Sequence, residues 1–153
     1  MKKFLLNLLI FSTIGVANSQ SLPPVAQALY NEAVAQDPQI VQYAINAGAQ
    51  IIATPDDSSF YIQWFPAGPP PASSPLIVTL HGSSGFAFHE FFNWHQSAMQ
   101  HGCGIIALQW YRGDSSLAPF DYFNDSVIYN DMDTALSRIN YPSGNALLHG
   151  FSR

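Results

Sequence analysis

The sequence predicts an α/β fold: a mostly parallel sheet that opens with an N-terminal hairpin and is flanked by helices. Three observations carry that expectation. Short apolar runs without polar alternation stand at residues 76–80, 105–108 and 146–148, the pattern of strands buried on both faces. Between them, residues 88–99 and 128–139 place apolar side chains at helical spacing. Strand, helix, strand, helix, strand makes two βαβ units, whose crossovers should be right-handed.

Composition bounds the function classes. The 153 residues are enough for one core of ordinary size, and 48% apolar with 14% aromatic residues excludes a disordered chain. The formal net charge is −5, and both lysines, Lys2 and Lys3, sit at the extreme N-terminus. Without them three arginines (Arg112, Arg138, Arg153) face ten carboxylates, a formal charge of −7. No basic surface is left to displace counterions, so nucleic acid is not an expected partner. The single cysteine, Cys103, offers neither an intrachain disulfide nor a metal-type pair, and is read as a small buried hydrophobe.

Each element has a local cause. Lys2-Lys3, the apolar run 4–16 and the small residues Ala17 and Ser19 have the order of a signal peptide spanning 1–19, cleaved before Gln20. The run is shorter than the ~20 residues of a membrane span, so an exported protein with no span after cleavage is expected. Residues 20–49 form a helical extension. Val25, Ala28, Leu29 and Ala33 make one apolar face, and Asp37-Pro38 restarts a helix carrying Ile40, Val41, Ala44 and Ile45. Gly48 stops it.

Two β-rich runs, 50–54 and 60–65, flank Pro55-Asp56-Asp57-Ser58 as a hairpin. The proline-rich stretch 67–75 is a spacer. After the strand at 76–80, Phe88, Phe91, Phe92, His95 and Met99 line a helix that His101-Gly102 ends. Asn124 caps a further helix with Ile128, Met132, Ala135, Leu136 and Ile139 on one stripe, and a buried strand at 146–148 closes the series.

That last strand runs into Gly150-Phe151-Ser152-Arg153, and the strand at 76–80 runs into His81-Gly82-Ser83-Ser84-Gly85. The first quartet resembles the G-x-S-x-G nucleophile elbow of the α/β-hydrolases, and the second resembles their oxyanion loop. Order and spacing agree with that family, of which residues 50–153 resemble the N-terminal half, truncated at the elbow. The resemblance implies an incomplete α/β-hydrolase-type sheet and an esterase-like serine hydrolase. Ser152 is the implied nucleophile and Gly150 the elbow glycine. The backbone N–H groups of Ser83 and Arg153 form the oxyanion hole, within a loop that includes His81, Gly82, Ser84 and Gly85. The family's acid and histidine follow the serine in sequence, and both are expected outside these residues, so the chain by itself is expected to be inactive. The implied substrate is a small-molecule or polymer ester, with no metal and no cofactor.

Other features are read as ordinary. No G-x-G-x-x-G and no P-loop follows a strand, which disfavours a nucleotide fold. Arg112-Gly113-Asp114 only follows a strand end. His95 falls on an apolar face, His149 is a strand neighbour that points away from the serine, and Glu90, Asp114, Asp121 and Asp125 read as solvated or capping carboxylates. The competing reading is a non-catalytic secreted α/β module that binds a ligand or partner through its aromatic-rich loops. Its material is Phe86, Phe88, Trp94, Trp110, Tyr111, Phe120, Tyr122 and Phe123.

Overall fold

A computed structural model describes residues 21–68, 73–113 and 121–152. The expected signal peptide lies outside them. The elements run α1 (Pro24–Gln36), α2 (Pro38–Asn46), β1 (Gln50–Ala53), β2 (Phe60–Trp64), β3 (Leu76–Leu80), α3 (Ala87–His101), β4 (Gly104–Leu108), α4 (Asp125–Arg138) and β5 (Ala146–Gly150). The caps are those that the sequence supplies. Pro24 and Pro38 stand in the first turns of α1 and α2, where a missing N–H costs nothing. The Asp37 carboxylate accepts the Ile40 N–H at 3.3 Å, and the Asn124 side chain accepts that of Val127 at 3.1 Å. Gly102 ends α3 at φ +67°, a left-handed turn that a Cβ disfavours.

The five strands form one sheet in the order β1-β2-β4-β3-β5. β1 and β2 are the expected hairpin, β2 also pairs antiparallel with β4, and β3 lies between β4 and β5 with both ladders parallel. The sheet is therefore evenly mixed, with two parallel ladders and two antiparallel, and not mostly parallel. β2 is the cause, because it serves both hairpin and sheet. Going from β3 to β4 steps one way along the sheet, and going from β4 to β5 steps back past β3. Crossovers of one hand then put α3 and α4 on opposite faces. Two cores result. Phe60, Ile62, Trp64, Ile105 and Ala107 pack under α1, α2 and α3, while Tyr61, Val78, Ile106 and Leu108 pack under α4.

The register sets where the site can be. Leu80 pairs with both Leu108 and Gly150, so the segments after β3, β4 and β5 leave from the same end of the sheet.

Some side chains are not where the sequence places them. β5 is not buried: Leu147 and Leu148 are 59% and 55% exposed, because β3 alone pairs with it among the described residues. The stripe of α1 is Ala26, Leu29 and Ala33, which turns Val25 out to solvent. Ile45, Phe92 and Met99 are likewise exposed at the edges of their stripes, and Cys103 is only half-buried. No described helix is long and apolar enough to cross a membrane.

Candidate active site

The two predicted motifs meet. The N–H of Phe151 donates to the Leu80 carbonyl at 3.2 Å, extending the β3–β5 ladder by one bond beyond the strands. The loop after β3 then lies against the turn after β5. A Cβ at Gly82 would come within 3.0 Å of both the Phe151 carbonyl oxygen and its ring. A side chain there would force Phe151 to give by a few tenths of an ångström, so the close approach favours glycine.

Ser152 turns sharply. Its φ of +53° is left-handed, a conformation that costs a side-chain-bearing residue of the order of 1 kcal/mol or more. A left-handed serine just past a parallel strand is what the expected elbow requires. Ser152 is exposed. Arg153, the other expected oxyanion donor, lies outside the described residues.

Residues 81–86 are held at three points. His81 is buried; its Nδ1 is 2.8 Å from the Gly82 carbonyl, and its Nε2 accepts the Trp110 N–H at 3.3 Å. The tautomer follows: the proton is on Nδ1. Burial pushes the ring's pKa down to about 4, against a weaker upward pull from the Gly82 carbonyl, so His81 is neutral at pH 7. The Trp110 indole N–H returns a bond to the His81 carbonyl at 2.7 Å. Further along, the Ser84 N–H donates to the Tyr122 hydroxyl at 2.9 Å, and Phe86 packs edge-on against Tyr111. Between these anchors the Gly85 N–H closes a turn onto the Gly82 carbonyl at 3.1 Å, with Ser84 at φ +56°. The amides of Ser84 and Gly85 are thus engaged, and that of Ser83 has no acceptor among the described residues.

All five histidines are described, and none is hydrogen-bonded to Ser152. His81 is locked as above. His89 accepts the Phe86 N–H at 3.0 Å and caps α3. His95 is buried, as its apolar face predicts, with Nδ1 2.8 Å from the Tyr43 hydroxyl; burial lowers its pKa. His101 ends α3 in solvent. His149 faces α3, with Nδ1 3.1 Å from the Thr79 hydroxyl and 3.4 Å from Glu90 Oε2.

Two expectations fail here. Glu90 is not solvated but buried, and accepts the Thr79 hydroxyl at 2.6 Å. Asp121 is buried as well. The signal for Glu90 was its spacing: it follows Ala87 by three and precedes Ala98 by eight, on the stripe that faces the sheet. Asp125 is exposed in the first turn of α4, as expected, and Asp114 lies outside the described residues.

A cleft of about 270 Å³ opens between α3 and β5, lined by Glu90, Asn93, Trp94, Ser97, His149 and Phe151. A larger one, about 480 Å³, lies at the β1 edge around Tyr61, Gln63 and Arg138. It lies at the opposite edge of the sheet from β5. No group of three or more metal-ligating side chains occurs among the described residues. Comparison with protein-family models and with curated protein sequences finds no match to the chain.

Proposed function

We propose that this chain carries the nucleophile elbow and oxyanion loop of an exported serine hydrolase of the α/β-hydrolase superfamily, acting on carboxylic esters. The observation that supports this most is the contact between Gly82 and Phe151 beside a strained, exposed Ser152. The two segments, 70 residues apart in sequence, meet at the ends of neighbouring parallel strands.

In this reading the Ser152 Oγ attacks the ester carbonyl carbon, and its proton passes to a base. The carbonyl oxygen becomes an oxyanion held by the amides of Ser83 and Arg153, each worth about 3–4 kcal/mol in such sites. Collapse expels the alcohol, which takes up the proton, and leaves an acyl-serine that water then hydrolyses. The three anchors of residues 81–86 fix the donor before substrate arrives. The base and the acid that orients it come from outside the described residues, since every histidine here has another engagement or stands apart from Ser152. Of the aromatic side chains of the competing binding reading, Phe86, Phe88, Trp110 and Tyr111 are buried, Trp94, Tyr122 and Phe123 are half-buried, and Phe120 lies outside the described residues.

The test is p-nitrophenyl ester turnover by the product of the whole reading frame, beside its Ser152→Ala variant. Turnover is expected, with kcat falling roughly 10⁴-fold or more in the variant. The 153-residue chain alone is expected to show no serine-dependent turnover. Activity indifferent to Ser152→Ala would remove the nucleophile and leave the binding module. Serine-dependent turnover by the chain alone would place the base within it.

A further inference from the structure

Thr79, Glu90 and His149 meet where β3, α3 and β5 touch. The Thr79 hydroxyl has one proton, and at 2.6 Å it goes to the Glu90 carboxylate. Its oxygen then faces His149 Nδ1 at 3.1 Å as an acceptor, and Glu90 Oε2 stands 3.4 Å from the same nitrogen. The Thr79 oxygen at 3.1 Å and the Glu90 carboxylate at 3.4 Å together favour the proton on Nδ1, which then donates to Thr79. The Trp94 indole N–H is directed at the same nitrogen at 3.4 Å, where it binds the lone pair in the other tautomer, and its ring packs T-shaped on His149.

Each member sits close to a different part of the site. Thr79 is two residues before His81 at the end of β3. Glu90 is in the first turn of α3, directly after residues 81–86. His149 is three residues before Ser152 on a strand whose other edge pairs with no described strand. We propose that Thr79, Glu90 and His149 form a clamp that sets the distance between the oxyanion loop and the nucleophile elbow: positioning residues for Ser152. This rests on the hydrolase reading for its effect on catalysis, but the clamp itself is a property of β5 that can be measured without it.

The experiment has two arms. In the 153-residue chain, amide hydrogen exchange of residues 147–151 is compared among wild type, Thr79→Val and Thr79→Ser. Valine keeps the shape and removes the hydroxyl; serine restores it. Exchange is expected to rise about tenfold or more in Thr79→Val, to stay near wild type in Thr79→Ser, and to be unchanged in β4. In the product of the whole reading frame, Thr79→Val and Glu90→Gln are expected to lower kcat about 10- to 100-fold with KM little changed. Thr79→Ser should keep most of the rate. Unchanged β5 exchange in Thr79→Val overturns the clamp. Faster β5 exchange with unchanged kcat overturns its positioning role, provided that Ser152→Ala abolishes turnover in the same assay. If Ser152→Ala is silent, the hydrolase reading falls, and the exchange arm alone decides the clamp.

Discussion

His81 shows how a residue in a candidate site loop can be a structural strut. Its two ring nitrogens bridge the Gly82 carbonyl and the Trp110 amide, and burial holds its pKa near 4. An unfolded histidine titrates near 6.5, so between pH 6.5 and 4 the unfolded chain binds the extra proton. The contribution is complete above pH 6.5 and declines as pH falls toward 4, by about 3 kcal/mol in all. Urea denaturation at pH 7.5 and pH 4.5 should show this loss, and His81→Gln should lack it. Gly82→Ala is expected to displace Phe151 and to cost about 1–3 kcal/mol by overpacking, with a matching fall in ester turnover. That residues 81–85 and 150–152 lie together was foreshadowed in the sequence; what holds them was not. His81 before Gly82 advertises a loop, but only Trp110, 29 residues away, shows that its ring is a strut. Glu90 and Asp121 read as solvated because polarity says nothing of which neighbours arrive from elsewhere in the chain.

The helices and strands were legible at almost every point, since each rests on a local cap or on periodicity. The exceptions come from tertiary context. The run at 146–148 has the apolar character of an interior strand, yet among the described residues only β3 pairs with it. Leu148→Ala should therefore cost less than about 1 kcal/mol in chemical denaturation, whereas Ile106→Ala, fully buried in β4, should cost about 2–5 kcal/mol. In α4 the stripe was read correctly, but it also carries Asp131, buried and with Oδ1 unbonded. Burial, with the Asp56 carboxylate adding to it, pushes its pKa up to about 6; the Asn130 hydrogen bond and Arg138 oppose the shift. The sign is opposite to that of His81. A raised carboxyl pKa favours the folded state in acid and penalises it as pH rises through 6. Asp131→Asn should stabilise the protein at pH 8, with the gain fading below pH 6. Thermal denaturation of the two proteins across that range checks it.

The whole molecule joins these scales through one piece of topology. With β3 between β4 and β5, the loop at 81–86 and the turn at 150–152 must leave the sheet side by side, and the Gly82–Phe151 contact follows. The sequence could pair the motifs by order and spacing, but not supply the strand order, because parallel pairing leaves no local mark. The central claim is that Ser152 is a nucleophile that forms an acyl-enzyme. The most direct measurement is mass spectrometry of the whole reading-frame product, quenched in acid during turnover of a p-nitrophenyl ester and digested to peptides. One acyl group is expected on the peptide containing Ser152, absent from Ser152→Ala and lost on standing at neutral pH. Turnover with the acyl group on another residue, or with none while a burst of p-nitrophenol is observed, would contradict it.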